Sequence, residues 1–235
     1  MTDPRAHGWQ FRRIACRSVV VAVPLLLLAG AVRGEAQFER ASIYLERNVA
    51  DDDIEVRFVA TAEEGGFAAL RVSGPDGRIL IDLKSPDSKL GIRHLDLESP
   101  ELRDKATVLA DFPEGTYRFE GTLADGDTVR AEATLKHAFP SAPTLSTPRS
   151  GQTELPVKGA KVRWEPASDA ASLEVVLKEA KGSRQMRVTL PGGATSFAIP
   201  DGFLVPGAKY EVAVGAIHEG GNRSYQEIEF TAQKR

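Results

Sequence analysis

Apolar and polar residues alternate with a period of two in short runs along most of this chain after residue 38, and turn residues separate the runs. That is the signature of half-buried β-strands. In the first half the runs are Ser42–Glu46, Ile54–Thr61, Ala68–Ser73 and Ile79–Leu83, with Gly74-Pro-Asp-Gly77 as a tight turn. Two more runs follow, one from Phe112 to Leu123 and one from an Asp125-Gly126-Asp127 turn to His137. In the last of these Val129, Ala131, Ala133 and Leu135 share one face, which places His137 on the inward side at the strand end. Thr128, Arg130, Glu132, Thr134 and Lys136 form the outer side. Ser99-Pro100-Glu101 reads as a helix start, with Ser as cap and Pro at the first helical position. Leu102, Ala106, Leu109 and Ala110 then lie on one face of a short helix.

The second half repeats the rhythm at Lys161–Trp164, Ser172–Lys178, Gln185–Leu190, Ser196–Pro200, a strand from Tyr210 and Tyr225–Phe230. On the Tyr210 strand, Val212, Val214 and Ala216 lead to His218 on the inward face, whereas His94 reads as exposed. Pro140, Pro143 and Pro148, with Ser and Thr between them, describe an extended connector. The expected organisation is a leader over 1–36, an N-terminal sandwich over 37–139, a Pro-rich linker over 140–149 and a second sandwich over 150–235. The first strand of that second sandwich begins near 141.

Val162-Arg-Trp164-Glu-Pro166, Thr195-Ser-Phe197-Ala-Ile199 and the Leu204, Pro206-Gly207, Tyr210 corner, with Pro143 opening the unit, resemble a fibronectin type III domain over residues 141–233. The resemblance implies a seven-strand sandwich with Trp164, Phe197, Leu204 and Tyr210 in its core. Phe112-Pro113-Glu-Gly115-Thr-Tyr117 echoes the corner, so the first unit reads as a divergent immunoglobulin-like sandwich with Tyr117 in its core and a helical insertion. The fold class is therefore all-β, two tandem immunoglobulin-like/fibronectin type III sandwiches with one short helix. The whole chain also resembles exported bacterial proteins that contain a fibronectin type III domain. Such a likeness implies no activity, because function belongs to sites and not to folds.

The start of the chain adds location. Arg5, Arg12, Arg13 and Arg17 precede an apolar run from Val19 to Val32 that Pro24 interrupts, and small residues surround Gly34 and Ala36. A basic region, a short apolar core and a small-residue exit describe a signal peptide. At about 14 residues the core is short of the roughly 20 a membrane span needs, which disfavours an uncleaved anchor. Cleavage after Ala36 is the first choice and after Gly34 the second. Arg12-Arg13 raises twin-arginine export, but its flanks fit poorly and general secretion is the reading. The protein is expected to be exported, to the periplasm or the exterior, without membrane insertion after cleavage.

Cleavage after Ala36 would remove five Lys/Arg and two acids from totals of 30 and 33, leaving 25 against 31 and a formal charge of −6. That excess of acid argues against nucleic acid as a partner. Cys16, the chain's single cysteine, lies in the leader, so the mature chain has no thiol chemistry.

Candidate chemistry is sparse. Asp51, Asp52 and Asp53 suggest Ca²⁺ but lack EF-hand spacing, and a solvated hairpin is the competing reading. The histidines have no metal-ligand spacing, no serine sits in a Gly-x-Ser-x-Gly elbow, and no glycine loop leads into a lysine. No enzyme and no cofactor are expected. Asn222-Arg-Ser224 has the form of a glycosylation acceptor, with a turn asparagine as the plainer reading. The expected role is a non-catalytic exported binding or scaffold protein whose strand-end loops meet a protein or cell-envelope glycan. The candidate loop residues are Glu165, Ser168 and Asp169, with Glu219, Asn222 and Arg223 beside them. The alternatives are a two-sandwich periplasmic assembly chaperone and a glycan-binding accessory module.

Overall fold

A computed structural model describes residues 37–234 apart from 64, 86, 88, 89 and 103. The leader read over 1–36 lies outside the described residues. The first half contains β1 (Phe38–Asn48), β2 (Asp53–Ala62), β3 (Phe67–Ser73), β4 (Ile79–Lys84), β5 (His94–Glu98), α1 (Lys105–Asp111), β6 (Gly115–Leu123) and β7 (Thr128–Leu135). The second contains β8 (Thr144–Thr147), β9 (Gln152–Leu155), β10 (Lys161–Glu165), β11 (Ser172–Glu179), β12 (Gln185–Pro191), β13 (Ser196–Ala198), β14 (Lys209–Ile217) and β15 (Arg223–Ala232).

Both halves have one topology. In the first, β1-β2-β5 faces β4-β3-β6-β7; in the second, β13-β10-β8 faces β12-β11-β14-β15. A three-strand sheet over a four-strand sheet in this order is a fibronectin type III-like sandwich. Each encloses its own apolar core. Phe67, Tyr117 and Phe119 fill the first, and Trp164, Tyr210 and Phe230 the second. Period-two alternation does the sorting: along β6, Tyr117, Phe119 and Leu123 point inward while Arg118, Glu120 and Thr122 stay exposed.

The same corner stabilises both sandwiches. Tyr210 is fully buried; its hydroxyl accepts from Val205 N at 2.8 Å and donates to Phe203 O at 3.3 Å. Tyr117, equally buried, donates to Pro113 O at 3.0 Å. Trp164 is buried too and donates from Nε1 to Ala194 O at 2.9 Å. Leu204 is buried and Phe197 half-buried against the same core.

The helix expectation is corrected. Helix α1 begins at Lys105, not near Ser99, and Asp104 caps it by accepting from Thr107 N. Ser99 and Leu102 instead extend the ladder along β2. Ser99 N donates to Val56 O at 2.9 Å, Val56 N donates to Ser99 Oγ at 3.0 Å, and Leu102 and Ile54 exchange backbone bonds at 3.0 and 3.1 Å. Pairing the open edge of β2 satisfies more backbone groups than a Ser cap would. Accordingly Val108 is the buried helix residue, while Ala106 and Ala110 are exposed. Within the Pro-rich connector, Thr144–Thr147 is itself strand β8.

A seam joins the two sandwiches. β1 pairs in parallel with β15, Glu46 opposite Arg223 and Asn48 opposite Tyr225, and Val49 N donates to Tyr225 O at 2.9 Å. The four-strand sheet of the second sandwich therefore continues into the three-strand sheet of the first, in the order β12-β11-β14-β15-β1-β2-β5. The far half of the same β15 edge pairs with β9.

Candidate functional site

The outer face of this shared sheet carries a cleft of about 390 Å³ across the seam. Alternation sets its lining: on β1, Leu45 points to the core while Tyr44 and Glu46 share the opposite face, and on β2, Val56 and Phe58 point inward while Glu55 and Arg57 point out. Glu227 and Tyr225 from β15, Lys178 from β11 and Arg187 from β12 complete it on the second sandwich.

On that side Glu174 of β11 is 5% exposed. Its Oε2 accepts from Arg187 and from the Tyr225 hydroxyl. Burial of Tyr225, with the nearby carboxylates, holds its phenol above the usual tyrosine range. The ring lies flat on Gly215, its cross-strand partner, where a Cβ would clash with the ring carbons. Glycine at 215 is thus what lets the phenol reach Glu174 across β14.

On the other side Glu46 and Glu55 stand directly opposite each other across β1 and β2. Like charges in that position repel. Burial, then the Glu46 charge, pushes the Glu55 carboxyl up to about 7, against the opposing pull of Arg57. Burial likewise raises Glu46, with Arg223 opposing, and raises Glu227. Arg57 is shared among Glu98 at 2.6 Å, Asp96 at 2.9 Å and Glu55 at 3.3 Å. Arg223 sits over the Tyr44 ring at 4.3 Å and lies 3.8 Å from both Glu46 and Glu174. One guanidinium therefore bridges a carboxylate from each sandwich.

Below this face, Asn222 ties the sandwiches together. It is 1% exposed, accepts from Leu45 N at 2.9 Å, and donates to Lys136 O at 2.6 Å and Ala138 O at 2.8 Å. Ser224 Oγ donates to Pro140 O at 2.8 Å and accepts from Arg47 Nε at 2.7 Å. Arg47 also covers the Phe139 ring at 4.8 Å.

Sequence reasoning had placed Asn222 and Arg223 on a presenting loop; this is corrected. Both lie in the seam because β15 starts at Arg223 and docks on β1. The Asn222 amide, with both kinds of polar atom engaged, leaves no room for a glycan. Glu165, Ser168, Asp169 and Glu219 are exposed, and Ser168 Oγ lies 3.0 Å from Ser141 Oγ. Asp51 and Asp52 lie in the β1–β2 turn and Asp53 opens β2; Asn48 Nδ2 donates to Asp51 Oδ2 at 2.8 Å and Asp52 has φ 57°. Among the described residues no group of three or more His, Cys, Asp or Glu is arranged to hold a metal. His94 is exposed. His137 is half-buried with Nε2 2.8 Å from Phe112 O, and the half-buried His218 accepts from Gly220 N at 3.0 Å. Neither Glu174 nor the parallel β1–β15 pairing is singled out by the sequence: Ser172–Lys178 reads only as a strand, and the burial of Glu174 depends on Tyr225 and Arg187 from other strands.

No family model matches the chain, and no curated protein matches it. Among solved structures, a fibronectin type III domain of human collagen XX aligns at 23% identity over 43% of this chain and 98% of that one, TM-score 0.31. Fibronectin(III)-like modules of Clostridium thermocellum CbhA align at 10% identity over 84% and 94%, TM-score 0.33. A segment of two fibronectin type III domains from chicken tenascin aligns at 14% over 85% and 97%, TM-score 0.30. The sandwich assignment stands on the strand order and the two cores.

Proposed function

We propose that this chain is an exported, non-catalytic binding or scaffold protein that offers one end of its second sandwich to a protein or cell-envelope glycan. The observation that carries the reading is the shared sheet. It makes two sandwiches one body and holds the Glu165–Asp169 loop and Glu219 in fixed relation to the charged face. A rigid scaffold with loops at its ends is how such folds carry recognition. The carboxylates of this face favour a non-catalytic role: buried Glu174 is held by Arg187 and the Tyr225 phenol, and Glu55, which lines the cleft, is paired with Arg57. A chaperone would need an apolar donor strand, whereas the outer row of the edge strand β7 is Thr128, Arg130, Glu132 and Thr134.

The test is crosslinking capture from envelope extract with residues 37–235 as bait, beside a second bait carrying Glu165→Lys, Asp169→Lys and Glu219→Lys. One dominant partner captured by the first bait and lost with the second supports the reading. Equal capture by both baits, or no capture by folded bait and no retention on cell-wall polysaccharide, overturns it.

A further inference from the structure

The shared sheet ends in two open edges, β12 on the second sandwich and β5 on the first. The ladder bonds fix which backbone groups each edge leaves free. On β12, Glu179 N donates to Arg184 O at 2.9 Å, and the unshifted register with β11 then turns the backbone groups of Met186, Val188 and Leu190 toward β11. Those of Gln185, Arg187 and Thr189 point away. On β5, Ala62 N donates to Arg93 O and Ser99 N to Val56 O, each at 2.9 Å. The groups of Leu95 and Leu97 therefore face β2, and those of His94, Asp96 and Glu98 point away. Among the described residues neither open side makes a backbone bond. The β12 edge stops at Pro191, which has no N–H and whose carbonyl accepts from Ala194 N at 2.9 Å.

The side chains of the two edges are complementary. Alternation gives each an apolar inward row, Met186, Val188 and Leu190 on β12 and Leu95 and Leu97 on β5, with Leu97 38% exposed. Neither strand points a charge inward, which is one way exposed edges are blunted. On the outer face the edges differ in sign. At β5, Asp96 and Glu98 share Arg57 with Glu55, an excess of acid. At β12, Arg187 pairs with Glu174 and keeps half of its side chain in solvent.

We propose that β5 of one copy of this chain pairs with β12 of a second copy, so that the shared sheet continues from molecule to molecule. Within the sheet β12 and β5 run in opposite directions, so a copy added in the same orientation meets β5 with an antiparallel β12. With Asp96 opposite Arg187, His94 faces Thr189 and Glu98 faces Gln185, and every free backbone group of the two edges is used. Leu95 and Leu97 then meet Val188 and Met186 on the inner side, and Glu98 lies diagonal to Arg187. A slip of two residues sets His94 against Pro191 or Leu97 against Arg184, and a slip of one turns the apolar rows outward. Pairing β5 with β5 sets acid against acid, and pairing β12 with β12 brings two copies of Arg187 together, so charge selects the mixed contact. The chain already joins two sheets edge to edge, where β1 meets β15 with Glu46 opposite Arg223. Because the two surfaces of the contact differ, each added copy leaves one of each edge free, and the product is an open chain.

Sedimentation velocity of residues 37–235 tests this. The wild-type mass should rise with concentration past that of a dimer. Two variants block one edge each. Thr189→Pro removes a free N–H from β12 and leaves the β11 ladder whole, and Leu97→Lys points a charge inward on β5. Each should keep the wild-type circular dichroism, lose assembly and run as a monomer. Mixed in equal amounts, the intact β5 of the first and the intact β12 of the second should restore association and stop it at the dimer. That recovery requires both variants to be folded, so it separates a blocked edge from an unfolded chain. A wild type that stays monomeric at near-millimolar concentration, or one that stops at the dimer, overturns the proposal. So does a folded single variant that still assembles, or a mixture of folded variants that remains monomeric.

Discussion

Removing the Asn222 side chain should uncouple the two sandwiches. The amide joins Leu45 N, Lys136 O and Ala138 O, all in the first half, to the start of β15 in the second. Each bond contributes about 1 kcal/mol net, but a buried partner left unsatisfied costs about 1–3 kcal/mol. Three partners, with some rescue by entering water, put Asn222→Ala at about 3–5 kcal/mol. Asn222→Asp is the sharper test. It keeps the acceptor for Leu45 N but turns a donor into a carboxylate oxygen facing two carbonyls, so it should cost more than alanine. Trp164 is the single tryptophan in residues 37–235, so its fluorescence follows the second sandwich, while far-UV circular dichroism follows both. In urea the two signals should coincide for wild type and separate for Asn222→Ala, because coincidence of probes is the mark of a single cooperative unit. A cost below about 1 kcal/mol, or an aspartate milder than alanine, would refute the reasoning.

Trp164→Ala should cost about 3–5 kcal/mol by denaturant titration, as truncation of a buried aromatic does; a loss below about 1 kcal/mol would contradict its place in the core. Tyr210→Phe removes two corner bonds and should cost about 1–2 kcal/mol, more than Tyr117→Phe, which removes one; the reverse order in thermal unfolding would contradict the corner geometry. Added Ca²⁺ should leave the melting temperature unchanged, since Asp51–Asp53 are spread around a hairpin, and a clear rise would restore that turn as a metal site.

The strands were legible because their periodicity is local. Tyr117 and Tyr210 were legible because a corner is written within a few consecutive residues. Strand β5, His94–Glu98, was missed: five residues, mostly exposed, at the edge of a sheet carry little apolar signal. The helix start was misplaced because Ser99-Pro100 is a sound cap in isolation, and only the open edge of β2, some forty residues away, outcompetes it. Asn222 and Arg223 looked like loop residues because Gly220, Gly221 and Asn222 form a turn. Their burial depends on β1, 177 residues earlier in the chain, and no local pattern encodes that. The same distance hid the candidate site. Glu46 and Glu55 could be placed on neighbouring strands, but the cleft above them exists only once β15 has docked.

The parallel seam also has a mechanical meaning. β1 enters it from Phe38, and β15 leaves it toward Ala232, the two strands running in the same direction. Tension applied across those two ends pulls the strands along their axes in opposite senses. The backbone bonds at the seam are then loaded in shear and share the force, instead of peeling open one at a time. A pull on the ends of this body would meet its resistance at the joint itself, before either apolar core is strained.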